Sequence, residues 1–200
     1  HDLESRAIAR ADALVYASKW AAASAVEDYG ADPAKIRIAP LGAPLDVSPP
    51  EILADTRPFG DVIRLLWMGG DWQRKGGDLA VETLARLRAT GLPAELHIVG
   101  EPPPGVLPAG VVTHGFLDRT RPRHRAKNDE LFAICHVLML PTRADCSPLA
   151  LAEASAWSMP QVATRVGGVP EVCVNGENGV LIDADGGVAA LADAVRHLVS

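Results

Sequence analysis

Short apolar runs alternate with amphipathic stretches along most of the chain. The apolar runs at 14–17, 36–39, 63–68, 95–99, 111–114, 137–140, 161–164 and 179–182 predict strands. Apolar residues at helical spacing predict helices over 3–10, 19–29, 76–90, 129–134, 149–157 and 187–199. The stretch 75–90 shows the rule. Leu79, Thr83, Leu84 and Leu87 fall on one face, and Glu82 precedes Arg86 by four residues, the favoured order for an ion pair. Gly91 and then Pro93 stop the helix. Strands alternating with helices imply an α/β fold built on a Rossmann-like, doubly wound parallel sheet.

The alternation is interrupted once. Pro40, Pro44, Pro49, Pro50 and Pro58 crowd a stretch with little periodicity, which predicts a connector holding one short helix near 51–55. The chain accordingly divides into 1–57 and 58–200. A second Pro-rich stretch, 101–110, predicts an exposed loop, and NGENG at 175–179 reads as a hairpin-like turn.

With 200 residues, 48% hydrophobic and 22% charged, the chain can bury a sizeable core. Aromatics are only 4%, so Ala, Val, Leu and Ile must build most of it. A net charge of -6 argues against a broad nucleic-acid footprint, and no nucleic-acid partner is expected. The one basic run, Arg119 to Lys127, reads as a solvated loop. Cys135, Cys146 and Cys173 match neither a zinc spacing nor a disulfide framework, which suits a reducing, cytoplasmic setting. None of the six histidines has ligand spacing, and no metal site is expected. No apolar run reaches the roughly 20 residues of a spanning helix. The chain starts at His1, and its last helical pattern stops at Ser200, so it reads as a piece of a longer protein.

Three places carry candidate chemistry. GGDWQRKGG at 69–77 follows an apolar strand and opens a helix. Ligands of open α/β sheets bind at such carboxyl ends of strands. Gly69 and Gly70 admit a ligand close to the backbone, and Arg74 and Lys75 put two cations there. That pairing suits a diphosphate, through charge-assisted hydrogen bonds worth about 1.5–3 kcal/mol each. Taken alone, the segment reads more readily as a Gly-rich loop with two solvated cations, since it lacks the Gly-Lys-Ser/Thr ending of a P-loop. PTRADCSPLALAEA at 141–154 runs from a strand into a helix. Ser147 can cap that helix, Pro148 suits its first position, and the following amides point where an anion would sit. Asp145 precedes the helix, and Glu153 lies within it among apolar residues, where a carboxylate needs a partner or a path to the surface. RVGGVPE at 165–171 reads as a tight strand-to-helix turn. His114 ends a strand and reads as structural, and Cys146 has no histidine near it in sequence to activate it.

In order and spacing, these segments resemble the retaining glycosyltransferases of family 4, which have the GT-B fold. The resemblance is carried by ADALVYAS (11–18), Tyr29-Gly30 through Lys35-Ile36, PLGA (40–43), WQRKG (72–76), LHIVG (96–100), the 145–153 segment and VGGVPE (166–171). It implies a nucleotide-sugar donor site in 58–200, with 1–57 as the tail of an acceptor-binding domain plus the linker. The rest of that domain would be a further partner of the same chain. By the same resemblance, Arg74 and Lys75 bind the diphosphate, Asp145 contacts the transferred sugar and Glu153 holds the ribose hydroxyls. Asp145 stands where the family has Glu, eight residues before Glu153. Pro148 stands where the family commonly has Gly, which leaves the amides of Leu149 and Ala150 for phosphate. Gly100 and Phe116 are expected near the base. The resemblance implies sugar transfer with retention to a carbohydrate or lipid-linked acceptor, with no metal or other cofactor. It also implies a cytoplasmic enzyme of the kind found peripheral to the inner membrane face. Alternatives are a nucleotide-sugar-binding module without transfer activity and a GT-B-like nucleotide-sugar epimerase.

Overall fold

A computed structural model of the chain describes residues 2–45, 60–100 and 105–200. The first stretch holds α1 (Asp2–Arg10), β1 (Leu14–Tyr16), α2 (Lys19–Tyr29) and β2 (Ile36–Ile38). β1 and β2 pair in parallel as a two-stranded sheet. The remainder builds β3 (Ile63–Gly69), α3 (Gly77–Ala89), β4 (Ala94–Gly100), β5 (Val111–Thr113) and α4 (Pro122–Ile134). It continues with β6 (Val137–Leu140), α5 (Leu149–Ala156), β7 (Gln161–Thr164), β8 (Gly179–Ile182) and α6 (Gly187–Val199).

The second sheet has the order β5-β4-β3-β6-β7-β8, parallel throughout. Its strands are apolar on both faces because helices cover both. Leu65 and Trp67 of β3 pack with Leu84 of α3 and Leu191 of α6 on one side. Leu66, one residue along and therefore on the opposite face, packs with Phe132 of α4 and Leu151 of α5. The predicted face of α3 is the buried one, with Thr83, Leu84 and Leu87 inside and Leu79 packed at its margin. Leu84 is fully enclosed, so truncating it to Ala would cost about 2–5 kcal/mol. Ser18 caps α2, its hydroxyl accepting from the Ala21 N–H at 3.1 Å.

Several sequence expectations are corrected. α4 begins at Pro122 rather than 129, so the basic run is largely helix and not loop. Its first seven residues contain only Ala126 as an apolar side chain beyond the proline, which silences the hydrophobic periodicity. Pro122 lies in the first turn, where its fixed φ favours a helix start. NGENG is not a hairpin, because β8 runs parallel to β7. Side-chain amides make the turn instead: Asn178 Oδ1 accepts from the Val174 N–H at 2.7 Å, and Asn175 Oδ1 accepts from the Leu181 N–H at 3.0 Å. RVGGVPE leads into a single 3-10 turn, Val169–Glu171, rather than a full helix. The predicted helix near 51–55 and the 57/58 division lie outside the described residues.

The two sheets are joined by a long-range cap. The Glu171 carboxylate accepts from the backbone N–H groups of Lys19 at 2.8 Å and Trp20 at 3.0 Å, at the N-terminus of α2. Gly168 makes the approach possible, since a Cβ there would lie 1.9 Å from the Cys146 carbonyl oxygen and 2.9 Å from Ser18 Cβ. No helix among the described residues is long and apolar enough to cross a membrane.

Candidate functional site

In a doubly wound sheet, the crevice opens where the strand order reverses. Here that point lies between β3 and β6, which are neighbours in the sheet although two strands separate them in sequence. The loops leaving the two strands, 70–76 and 141–148, are bound to one another. Gly76 has φ +70°, and a Cβ there would lie 2.0 Å from the Pro141 carbonyl oxygen, so no other residue fits without displacing the second loop. The Arg74 carbonyl accepts from the Thr142 hydroxyl at 3.1 Å and the Arg143 N–H at 2.7 Å. The Arg143 guanidinium donates to the Gln73 carbonyl at 2.5 Å and to both Asp78 carboxylate oxygens at 2.8 and 2.6 Å. The Trp67 indole N–H donates to the Lys75 carbonyl at 3.1 Å, fixing that backbone from the core side.

Between these loops and α5 lies a cavity of about 340 Å³. Of the residues singled out in sequence, Gly69 lines it from the end of β3, Gly70, Lys75, Asp145 and Ser147 from the loops, and Leu149, Ala150 and Glu153 from α5. The Lys75 ammonium is ion-paired with the Asp145 carboxylate, and both side chains are mostly buried. Leu149 and Ala150 occupy the first turn of α5, whose N–H groups have no acceptor within the helix. Ser147 does not cap the helix. The cap position is Pro148, with extended backbone and no side-chain cap bond. A ring nitrogen without hydrogen there narrows the anion-facing amides to those that follow.

Glu153 is 1% exposed. One carboxylate oxygen, Oε2, accepts from Arg119 Nη2 at 2.5 Å. The other, Oε1, is buried and accepts no hydrogen bond of ordinary geometry among the described residues, although the neutral Asn128 side chain lies close enough to favour the charged carboxylate. Burial pushes the Glu153 carboxyl above its ordinary value, while Arg119 and Asn128 favour the charged form. Arg119 lines the same cavity and was missed as a site residue in sequence, where it belongs to the supposed solvated loop. The signal lay elsewhere: a glutamate set among Leu151, Ala152 and Ala154 demands a cation, and the basic run supplies several.

Three expected residues stand outside this cavity. Arg74 is half-exposed, with its Nε donating to Asp71 at 3.2 Å and its Nη1 to the Ala144 carbonyl at 3.0 Å. Gly100 ends β4 in register with Gly69. Phe116, beyond β5, is 74% exposed. His114 contacts His97 ring to ring, Nε2 to Nδ1 at 3.0 Å, and burial lowers the pKa of both.

Residues 63–200 match the model of the family described as glycosyl transferases group 1. The chain is 31% identical over 198 residues to a D-inositol 3-phosphate glycosyltransferase of Geodermatophilus obscurus, covering 90% of this chain and 44% of that protein. It is 30% identical over 212 residues to a glycogen synthase of Mycobacterium tuberculosis, covering 100% of this chain and 48% of that protein. It thus spans about half the length of the curated relatives it matches. Among solved structures, Anabaena HepE in complex with UDP and glucose superposes with a TM-score of 0.76 at 19% identity, covering 100% of this chain and 56% of that one. At such identity the likeness speaks for the fold alone, the Rossmann-like sheet of the GT-B architecture. The family model covers more than half of the chain, and on that ground the chain belongs to the glycosyl transferases group 1 family.

Proposed function

We propose that the switch-point cavity binds the nucleoside diphosphate of a sugar donor, and that this chain supplies the donor side of a retaining glycosyltransferase. One observation carries the proposal. Lys75, the first-turn amides of α5 and the buried Glu153 converge on a single cavity at the carboxyl ends of β3 and β6. This arrangement brings positive potential and a hydrogen-bond acceptor to one cavity, as a nucleoside diphosphate requires. The relatives named as glycosyltransferases and HepE, whose structure holds UDP, support the same ligand class.

The chemistry follows from charge. Departure of the leaving diphosphate builds negative charge on its oxygens and positive character at the anomeric carbon. Lys75 has three N–H donors and can hold Asp145 and a phosphate oxygen together. The Leu149 and Ala150 amides face the same charge at no reorganisation cost, and removing one such preorganised donor typically slows a reaction about a hundred- to thousandfold. Arg74, outside the cavity, contributes through its charge and through the carbonyl that ties the two loops. Asp145 is our candidate for orienting the sugar, whose identity, like that of the acceptor, is set by groups beyond these. Because Lys75 and the helix N-terminus already supply positive potential, binding is expected without a divalent cation.

Calorimetric titration with UDP, GDP and ADP, each with and without magnesium, tests the proposal. The expected result is metal-independent binding of one diphosphate, weakened about ten- to a hundredfold in Lys75→Ala. Equal affinity in that variant would overturn the role of Lys75. Absence of binding by the folded wild-type chain would overturn the donor site.

A further inference from the structure

Glu153 presents an unusual arrangement for a buried carboxylate. It sits in α5 with its side chain enclosed, one oxygen held by Arg119 and the other accepting no hydrogen bond of ordinary geometry among the described residues. A buried acceptor that meets no donor is unfavourable, and a ligand in this cavity that brings one would complete it. Both Glu153 and Arg119 line the switch-point cavity. An ionised carboxylate only accepts hydrogen bonds, so the completing ligand must bring donors, and the hydroxyls of a sugar ring do so.

We infer that Arg119 is a positioning residue for the ribose end of the donor site, holding Oε2 of Glu153 so that Oε1 stands ready for a ribose hydroxyl. The inference rests on the donor-site proposal above. Arg119 reaches Glu153 from the loop before α4, 34 residues earlier in the chain. It performs two tasks at one contact. It fixes the carboxylate rotamer, because Oε2 is tied to a guanidinium that is itself only 38% exposed. It also sustains the charge of a group that burial pushes toward neutrality. Other charged groups nearby do not replace it. Asn128 favours the charged form but is neutral, Asp129 opposes ionisation of Glu153, and Lys75, which lines the same cavity, is already paired with Asp145. Without Arg119, the carboxylate would be free to turn and to take up a proton, and its preference for a diol would fade.

The test compares ligands that differ only at the ribose. The probes are whichever of UDP, GDP and ADP binds the wild-type chain, and its 2′,3′-dideoxy form. For Arg119→Met the ribo form is expected to bind at least about tenfold more weakly, while the dideoxy form, already weak, changes less than about twofold. Arg119→Lys should restore much of the difference. Arg123→Ala removes a neighbouring exposed charge and should alter neither ligand, which separates positioning from bulk charge. If Arg119→Met fails to fold, Arg119→Gln keeps a neutral polar side chain beside Glu153 and should show the same selective loss for the ribo form. Equal losses for both ligands, or unchanged discrimination in a folded variant, would overturn the inference while leaving the donor site intact. Failure of the wild-type chain to bind any of the three would instead overturn the donor site, and this inference with it.

Discussion

Asp78 and Glu153 are carboxylates with opposite electrostatic fates, and partner geometry decides which is which. Arg143 grips both oxygens of Asp78 and holds its carboxyl below the usual range, whereas burial raises that of Glu153 despite Arg119. A carboxyl depressed by folding contributes stability that is present above its unfolded value, about 3.9, and is lost as pH falls through the folded value. Asp78→Asn should therefore flatten the loss of stability below about pH 4 seen in chemical denaturation. The effect should be under about 1 kcal/mol, because the pair is partly exposed. An unchanged acid limb would show that the pair adds nothing. The cysteines divide in the same way. Burial pushes the Cys173 thiol up to about 11, Cys135 is also buried, and Cys146 is exposed. Thiolates, not thiols, react with disulfide reagents. At pH 8 the native chain should titrate one fast thiol, Cys146, and all three after denaturation; rapid reaction of more than one would contradict the packing.

Among the elements, β6, β7, β8, α2 and α6 fall where their hydrophobic patterns end, since each is bounded by residues that either pack or turn. The start of α4 was not legible, because a helix turned toward solvent in its first half shows charge and no periodicity. The role of Glu171 was equally invisible. Its partners, the first amides of α2, lie about 150 positions away in sequence, and the tight turn around Gly167 and Gly168 suggested only local geometry. The first turn of α2 contains no acidic residue, so Glu171 supplies the negative charge that its macrodipole favours. Glu171→Ala should cost about 1 kcal/mol, as loss of a helix cap does, and lower the melting temperature by about 2–4 °C. Hydrogen exchange locates the effect: the amides of Lys19 and Trp20 should lose protection, while those of β3 and β6 keep theirs. Uniform loss would mean global unfolding rather than release of the cap.

For the molecule as a whole, the alternation of strands and helices was enough to foretell a parallel, doubly wound sheet. It did not order the strands, because pattern alone does not tell on which side of β3 the chain returns. The structure places β6 there, which brings the 70–76 and 141–148 loops together and turns separate sequence candidates into one cavity. Segment order singled out Lys75, Asp145 and Glu153, which line that cavity, whereas the place of Arg119 beside them required the fold, since a cation's partner across 34 residues leaves no local trace. The central claim is that this cavity is where a nucleoside diphosphate binds. At 21.1 kDa the chain suits backbone amide NMR, which reports location directly. Titrated with its preferred nucleoside diphosphate, it should show the largest shifts at the amides of Gly70, Lys75, Leu149 and Ala150. Shifts concentrated instead around Ser155, Asn178 and His197, which line a separate cavity, would contradict the account.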